Sequence, residues 1–320
     1  MSGVTRFARV IRNGLAEPSR LPIKIASRIY AMRRIGLFRE HFIEGSKAGS
    51  LIIASYPKSG NTLFRFIWLN LIALQELDGR RIDFTSLDEL MPSDQFFDDL
   101  RKPWPFTSLP CLLKSHLPCI PLYRGRKAIH LVRNPFDAMI SNYKYFSART
   151  GGPQAEHLSW LESHVFNGLK RYPGTLSDFI RDHFDDYCEH FTSWMSEEGS
   201  IPVAYEQLIG ESRQTHVESI FNNLGLNVNA ELIAEAIERS DRKSVKGLPA
   251  SDKMAVLEGM HFVRNGGEGQ WQEQLVEGDT AFMRERLRDH CIHPEQMKNE
   301  PYRLLLLQWP DACFSFAGEN

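Results

Sequence analysis

The stretch Leu51-Ile52-Ile53-Ala54-Ser55-Tyr56-Pro57-Lys58-Ser59-Gly60-Asn61-Thr62 decides the fold of this 320-residue chain. A short apolar run ends at a Pro-Lys-Ser-Gly turn, and apolar residues at helical spacing follow at once. A strand, a glycine turn and a helix start present backbone N–H groups to an anion. Lys58 adds a mobile cation, and Thr62 adds a hydroxyl in the first helical turn. The stretch therefore predicts a binding site for a phosphate or a sulfonate.

The order of residues in this loop differs from that of the common phosphate-binding loop. In the pattern G-x-x-x-x-G-K-S/T the lysine follows the last glycine. Here Lys58 precedes Gly60, and Ser55 stands where the first glycine would be. An ordinary strand-to-helix turn with a solvated lysine is the alternative interpretation. Three further segments that suit the same kind of ligand argue against it.

Composition excludes several classes of protein. Hydrophobic residues make up 42% of the chain and the net charge is −2, so a global basic field for nucleic acid is absent. The 5 cysteines are scattered without a C-x-x-C spacing, which predicts a reducing, cytoplasmic compartment and no metal site. No apolar run reaches the roughly 18 residues of a transmembrane helix, and none is expected.

The order of apolar runs and helical patterns predicts an α/β fold. Short apolar runs at 52–54, 111–114, 127–132 and 201–205 read as strands, and the main helical patterns cover 62–77, 138–146, 176–195, 211–224 and 230–240. Strands that alternate with helices form a parallel β-sheet flanked by helices on both faces. Such sheets bind ligands at the carboxyl ends of their strands, where the candidate site residues fall.

We expect one main domain over residues 46–300, with an N-terminal arm at 1–45 and a C-terminal extension at 301–320 packed on the domain. The arm is basic and amphipathic. Its cations are Arg6, Arg9, Arg12, Arg20, Lys24, Arg28, Arg33, Arg34 and Arg39. Such an arm can make peripheral contact with an anionic membrane. We favour instead two amphipathic helices packed on the domain with their arginines in water, because any surface helix is amphipathic.

A second segment, Leu113-Lys114-Ser115-His116-Leu117, combines a cation with an imidazole. Strand alternation places Lys114 and His116 on one face. A histidine there can remove a proton from an attacking hydroxyl, and a lysine can stabilise charge that develops on the transferred group. A hydrogen-bonded structural histidine is the alternative for His116 taken alone.

Two more segments carry cations beside helix starts or glycines. Arg133 ends a strand, Asn134 and Pro135 begin a helix, and Ser141 lies two turns further on, which suits a second phosphate. Three glycines follow Phe262, Arg264 and Asn265 in a loop whose backbone N–H groups can approach an anion; they are Gly266, Gly267 and Gly269. A capped surface helix and a mobile loop are the respective alternatives.

Taken together, these segments resemble the cytosolic sulfotransferases, which move a sulfuryl group from 3′-phosphoadenylyl sulfate to an acceptor. The matches are the Tyr-Pro-Lys-Ser-Gly loop, the Lys-x-His strand, the Arg-Asn…Ser segment, the Tyr205-Glu206 pair and the Arg-x-Gly-x-x-Gly-x-Trp loop, in the family's order from residue 51 to residue 271. The resemblance implies a P-loop-NTPase-like sulfotransferase architecture. It also implies a 3′-phosphoadenylyl sulfate-dependent enzyme that needs no metal and releases adenosine 3′,5′-bisphosphate.

The resemblance also implies a role for each matched residue. His116 is the general base, and Lys58 and Lys114 steady the sulfuryl group and the departing phosphate. The residues implied to bind the donor are Lys58, Ser59, Gly60, Asn61, Thr62, Leu63, Arg133, Ser141, Tyr205, Ser240, Phe262, Arg264, Asn265 and Gly266. Two positions depart from the family. Leu63 replaces a tryptophan that stacks on the adenine, and Asn265 replaces a common lysine.

The acceptor is expected to be a small molecule with a hydroxyl group. The loops that would form its pocket, at 78–110, 147–172 and 240–261, carry apolar residues that suit a phenol, steroid, fatty alcohol or polyketide, although these residues can equally be core. The oligomeric state stays open. The competing functions are a P-loop-type kinase, which would need Mg²⁺ and an acidic metal ligand, and a non-catalytic nucleotide-binding protein.

Overall fold

The computed structural model describes residues 36–45, 47, 49–94, 100–147, 174–245, 248 and 269–314. Several predicted features lie outside this part of the chain. They are most of the basic N-terminal arm, residues 262–266 of the fourth candidate segment, and most of the acceptor loops at 147–172 and 240–261. The described part contains a sheet, the helices on its two faces and a C-terminal segment.

Within the described residues, four parallel strands form the sheet, in the order β2-β1-β3-β4. The strands are β1 (Leu51–Ser55), β2 (Leu112–Ser115), β3 (Ala128–Val132) and β4 (Ser200–Ala204). In register, Ala54 of β1 lies between Ser115 of β2 and His130 of β3. Because all four strands run the same way, their carboxyl ends meet at one edge of the sheet, where the turns after β1, β2, β3 and β4 come together.

Helices connect the strands and continue to the C-terminal segment. They are α1 (Asn61–Glu76), α2 (Phe84–Leu90), α3 (Pro135–Ser147), α4 (Leu176–Met195), α5 (Tyr205–Ile209), α6 (Arg213–Leu224), α7 (Ala230–Ser240), α8 (Arg242–Val245), α9 (Trp271–Gln274), α10 (Glu277–Asp289) and α11 (Glu300–Leu306). The predicted ends of α4 and α7 agree with the structure, and those of α1, α3 and α6 differ by a few residues. The remaining helices were not predicted.

Side chains of the sheet alternate between two apolar layers. Leu51 and Ile53 of β1 belong to a core formed with α1, α6 and α7, in which Trp68 stacks on Phe221 with ring centroids 5.3 Å apart. Ile52 of β1 belongs instead to a cluster on the opposite face. Burial on both faces is typical of a parallel sheet, and the predicted α/β fold with helices on both faces is confirmed.

Local sequence signals account for several helix ends. Asn134 caps α3, since its Oδ1 accepts from the backbone N–H of Phe136 at 3.0 Å. Gly225 ends α6 in the left-handed conformation, with φ 75°. The sequence analysis missed α2, which begins after Asp83, whose carboxylate accepts from the N–H of Ser86 at 2.7 Å.

The C-terminal segment packs against the sheet and its helices. The side chains of Tyr302, Leu306 and Cys313 are fully buried in a core shared with α3, α4 and α10. The hydroxyl of Tyr302 lies 2.8 Å from Nδ1 of His130 on β3 and 2.8 Å from Oγ of Ser200 on β4. The domain boundaries proposed above stay a prediction. Among the described helices, none has the length and apolar character needed to cross a membrane.

Candidate active site

The turn after β1 adopts a conformation that turns its backbone toward a ligand. Lys58 and Gly60 both have left-handed φ angles, of 71° and 95°. Gly60 is the N-cap of α1, and a Cβ atom at this position would lie only 2.6 Å from the ring of Tyr205. Glycine is therefore required both by the backbone angle and by the approach of Tyr205. The turn leaves backbone N–H groups of the start of α1 available for an anion.

Arg133, at the end of β3, connects this turn to the end of β4. Its Nη1 donates to the backbone carbonyl of Lys58 at 3.1 Å. Its guanidinium lies over the ring of Tyr205, 4.6 Å from the ring centroid, in a cation–π contact. One buried cation thus contacts the turns that follow two different strands.

The turn that carries Arg133 is itself held in place by hydrogen bonds. The hydroxyl of Tyr187 donates to the carbonyl of Arg133 at 2.8 Å. The backbone N–H of Asn134 donates to Oε1 of Glu206 at 2.9 Å. These contacts explain why the Tyr205-Glu206 pair belongs to the site. The ring of Tyr205 lies under the guanidinium of Arg133, and the carboxylate of Glu206 holds the backbone of the next residue, Asn134.

The C-terminal end of the fourth segment, at Gly269 to Trp271, lies beside the helix that follows Arg133. The carboxylate of Asp137, in the first turn of α3, accepts from the backbone N–H groups of Gly269 at 2.8 Å and Trp271 at 3.2 Å. Phe262, Arg264, Asn265 and Gly266 lie outside the described residues. The structure therefore places the end of the glycine loop beside the helix that follows Arg133.

The other predicted donor contacts differ in their surroundings. Ser59 is fully buried, and its Oγ has no hydrogen-bond partner within the described part of the chain. Thr62 and Leu63 are half-buried in the first turn of α1, as is Ser141 on α3. Ser240 is buried, with its hydroxyl accepting from Asn70 at 3.0 Å and donating to the carbonyl of Ala236.

His116 follows β2 directly and turns its ring toward β1. Its Nδ1 lies 2.8 Å from the backbone carbonyl of Ser55 and 3.2 Å from the hydroxyl of the same residue. A carbonyl can only accept, so Nδ1 carries the proton and Nε2 has a lone pair. His116 lies one residue beyond the end of β2 at Ser115, and its hydrogen bond to Ser55 orients the ring.

The surroundings of His116 favour its neutral form. Burial lowers the pKa of His116 well below its usual value, and the nearby charge of Lys114 lowers it further. An imidazole that is neutral at pH 7, with its Nδ1–H held by a carbonyl, is suited to accept a proton at Nε2.

Several residues of the site were missed in the sequence analysis. The ammonium of Lys58 lies over the ring of Tyr145, 4.9 Å from its centroid. Ser55 and Asp137 contribute hydrogen bonds that no motif indicates. Tyr145 lies one helical turn after Ser141, which is a spacing that could have indicated a shared helix face.

The fold defines an α/β protein in which parallel strand ends carry a glycine turn with Lys58, a buried arginine that contacts this turn, and a histidine bonded to the end of β1. The family model described as the sulfotransferase domain matches residues 49–300. The chain belongs to the sulfotransferase family. It is an enzyme of that family, and the relatives that it resembles are named as sulfotransferases.

Individual relatives agree with this assignment. Sulfotransferase 2A6 of Rattus norvegicus is 24% identical over 254 residues, which cover 72% of this chain and 80% of the relative. The 3-beta-hydroxysteroid sulfotransferase of Cavia porcellus is 26% identical over 241 residues, which cover 70% of this chain and 77% of the relative.

Two solved structures share the fold. Mouse sulfotransferase SULT7A1 complexed with PAP has a TM-score of 0.56 at 17% identity, covering 83% of this chain and 90% of that one. Retinol dehydratase in a complex with retinol and PAP has a TM-score of 0.51 at 18% identity, and the match covers 76% of this chain and 81% of that one.

Proposed function

We propose that this enzyme transfers the sulfuryl group of 3′-phosphoadenylyl sulfate to a hydroxyl of a small, largely apolar acceptor, with His116 as general base. The observation that carries the proposal is the hydrogen bond from Nδ1 of His116 to the carbonyl of Ser55, 2.8 Å long, at the end of the strand that leads into the Lys58 turn. This bond supports the proposal because it holds the proton on Nδ1 and leaves the lone pair of Nε2 to accept a proton.

The donor is proposed to occupy two separate cationic regions. Lys58 and the backbone N–H groups from Ser59 to Thr62 hold the 5′-phosphosulfate. Two features fit an anionic group there. The turn has left-handed backbone angles that require glycine at position 60, and the buried Ser59 hydroxyl lacks a partner among the described residues. Arg133 and Ser141 hold the 3′-phosphate, with Arg264, Asn265 and Gly266. Tyr205, Leu63, Phe262 and Ser240 are proposed to lie on the adenine side.

The proposed transfer is an in-line displacement. As the acceptor oxygen forms a bond to sulfur, its proton passes to Nε2 of His116. The bond from sulfur to the phosphate oxygen breaks, and its electron pair leaves with adenosine 3′,5′-bisphosphate. Lys58 and Lys114 stabilise the negative charge that shifts toward the departing phosphate, which is where fixed cations contribute most. These cations perform the task that a divalent ion performs in a kinase, so we propose that no metal is required.

The acceptor class is proposed from the apolar side chains of the loops expected to form its pocket and from the relatives. Three apolar residues of the loop at 78–110, Phe84, Leu87 and Met91, are buried in the main core, so they contribute less to a pocket than the sequence suggests. Trp104 and Phe106 stay half-buried, with ring centroids 5.1 Å apart. One relative is named for a 3-beta-hydroxysteroid and one neighbour was solved with retinol, and both are apolar alcohols.

The cell compartment and partners are proposed from the sequence. We infer a cytoplasmic enzyme whose partner is a small-molecule hydroxyl acceptor, with no nucleic acid partner. Contact of the basic arm at 1–45 with a membrane surface would be detected by sedimentation of the full-length protein with anionic vesicles. The oligomeric state of the full-length protein can be measured by light scattering.

The test is a screen of phenols, steroids, fatty alcohols and polyketides with 3′-phosphoadenylyl [³⁵S]sulfate, with His116→Ala as the matched control. Label should pass to at least one acceptor with the wild-type enzyme, and much more slowly with the variant. Transfer from γ-labelled ATP would favour the kinase. Tight binding of adenosine 3′,5′-bisphosphate with no transfer to any acceptor would favour the non-catalytic protein.

A further inference from the structure

Asn61 has a side chain directed away from the place where its backbone is expected to meet the donor. It is the first residue of α1, directly after Gly60 in the anion-binding turn, and only 5% of it is exposed. Its Nδ2 donates to Oγ of Ser55 at 3.0 Å. The side chain thus reaches back from the helix start to the last residue of β1.

Ser55 is the residue that His116 contacts. Its carbonyl and its hydroxyl lie 2.8 Å and 3.2 Å from Nδ1 of His116, and the serine is fully buried. Two oxygen atoms of one residue therefore face the same ring nitrogen. Asn61, through its bond to the hydroxyl, fixes the rotamer in which the hydroxyl faces the imidazole beside the backbone carbonyl.

Stability alone does not explain an asparagine at position 61. Its Oδ1 is buried and has no hydrogen-bond partner among the described residues. An unpaired buried carbonyl is unfavourable, and a side chain without it would avoid the cost. The amide contributes one directed bond, from Nδ2 to Ser55, at the expense of an unpaired oxygen.

The consequence for His116 concerns its tautomer. The imidazole acts as a base at Nε2 only while Nδ1 holds the proton. A serine hydroxyl that rotated freely could donate to Nδ1 and so favour the other tautomer, in which Nε2 is protonated and cannot accept. With Asn61 donating to the hydroxyl oxygen, the rotamer of Ser55 is held, and the carbonyl of Ser55 stays the partner of Nδ1–H. Residues that orient a metal-bound imidazole through its second nitrogen typically change activity by about 10–100-fold, and we take this range for Asn61, which acts one bond further away through Ser55.

We propose that Asn61 is a positioning residue for His116: through Ser55 it holds the imidazole in the tautomer with Nδ1 protonated, and it couples the donor-binding turn to the base. This inference rests on the proposed role of His116. The same residue takes part in the anion-binding turn with its backbone and in the orientation of the base with its side chain.

The first test observes the tautomer without turnover. ¹⁵N-labelled histidine spectra of the complex with adenosine 3′,5′-bisphosphate report which ring nitrogen is protonated, and His116→Gln assigns the signal. The wild-type enzyme should show Nδ1–H alone at His116. Asn61→Ala should show a second population with Nε2–H, whereas Ser55→Ala, which has no hydroxyl to donate to Nδ1, should keep Nδ1–H alone. A single, unchanged Nδ1–H tautomer in Asn61→Ala, or an Nε2–H population in Ser55→Ala, would overturn the inference.

The second test is a double-mutant cycle on turnover. Asn61→Ala should lower kcat by about 10–100-fold with an aliphatic alcohol, and by a much smaller factor with 4-nitrophenol, which needs little help to ionise. Its affinity for adenosine 3′,5′-bisphosphate should stay close to that of the wild type. In the Ser55→Ala background, Asn61→Ala should cause no further loss. Additive losses, or equal losses for the alcohol and the phenol, would overturn the inference.

Controls separate this inference from the proposed function and from a general effect on folding. Asn70→Ala removes another buried asparagine of α1 that donates to a serine, Ser240, and it should leave the ratio of alcohol to phenol turnover unchanged. If His116→Ala keeps alcohol turnover, the proposed base is wrong. If His116→Ala loses it while Asn61→Ala does not, only the positioning role of Asn61 is wrong.

Discussion

Arg133 donates from Nη1 to the backbone carbonyl of Lys58, across 3.1 Å, and so joins the end of β3 to the turn after β1. The carbonyl belongs to the residue that holds a left-handed φ of 71°. Such a conformation costs a non-glycine residue free energy, and a hydrogen bond from a buried cation offsets part of that cost. The cation proposed for the 3′-phosphate therefore also stabilises the turn proposed for the 5′-phosphosulfate.

Replacement of Arg133 should separate the two phosphates of the nucleotide. Arg133→Ala should weaken binding of adenosine 3′,5′-bisphosphate by roughly 1.5–3 kcal/mol, because a charge-assisted contact is lost. Binding of adenosine 5′-phosphate should weaken far less, since that ligand lacks the 3′-phosphate. Isothermal titration calorimetry with both nucleotides measures the difference.

Two further variants serve as controls for the Arg133→Ala measurement. Arg133→Lys keeps the charge but not the planar fork, and should fall between the wild type and the alanine variant. Arg303→Ala removes an exposed arginine paired with Glu300 on α11 and should change neither affinity. Equal losses for both nucleotides in Arg133→Ala would mean that the arginine acts only on the turn through Lys58.

Much of this site could be predicted from the sequence because its parts are local. The turn at Lys58-Ser59-Gly60, the cap at Asn134 and the arginine that ends β3 each follow from neighbouring residues. Parallel strands bring their ends together without further information. The bonds from Asn61 to Ser55 and from Gly269 to Asp137 could not be predicted, because they depend on side-chain directions, and the second also joins segments far apart in the chain. The helix α2 was missed because the apolar residues of the loop at 78–110 were assigned to a pocket, and three of them are core.

Transfer should proceed without a divalent ion. Lys58, Lys114 and Arg133 supply positive charge around the proposed donor site, so chelation should leave kcat and KM for the donor unchanged. The measurement compares sulfuryl transfer in EDTA and in millimolar Mg²⁺ after dialysis. Activity that EDTA abolishes and Mg²⁺ restores would contradict this prediction and favour the kinase.

Buried histidines should make the protein less stable in mild acid. Burial lowers the pKa of His190 to about 3, against 6.5 in the unfolded chain. Between these values the unfolded chain binds a proton that the folded chain does not, so stability is complete above pH 6.5 and falls as the pH drops. His190 alone should cost roughly 1 kcal/mol between pH 7 and pH 5.5.

Urea unfolding of His190→Gln at both pH values measures this contribution. The drop in the free energy of unfolding should be smaller by roughly 1 kcal/mol in the variant than in the wild type. His216→Gln, on the half-exposed face of α6, provides the control and should leave most of the drop in place. An identical drop in all three proteins would show that His190 takes up its proton in the folded state.

The hydroxyl of Tyr302 should contribute measurably to stability. It lies 2.8 Å from both His130 and Ser200, and the ring is fully buried. Tyr302→Phe keeps the ring but leaves two buried polar groups without this partner, which should cost about 1–3 kcal/mol. Thermal or urea unfolding detects the loss. Tyr143→Phe, at a half-buried hydroxyl that donates to the carbonyl of Gly174 at 3.2 Å, should cost less.

The sharpest prediction concerns His116. His116→Ala should keep its affinity for adenosine 3′,5′-bisphosphate and lose turnover of an alcohol by about 10²–10⁴-fold, the usual contribution of a general base. The loss should be smaller for an acidic phenol, whose proton leaves with less help. Because burial and Lys114 lower the pKa of His116, kcat/KM for the alcohol should stay flat through pH 6.5 and decline only in more acidic solution.

The pH profile distinguishes a base from a residue that only shapes the site. A structural histidine would lower turnover of alcohol and phenol by the same factor, and its replacement would leave the acid limb of the wild-type profile in place. A general base removes that limb when it is replaced, because the group that titrates is gone. If His116→Ala turned over an alcohol at a near-normal rate, the proton would leave by another route. The search would then move to a carboxylate in the acceptor loops.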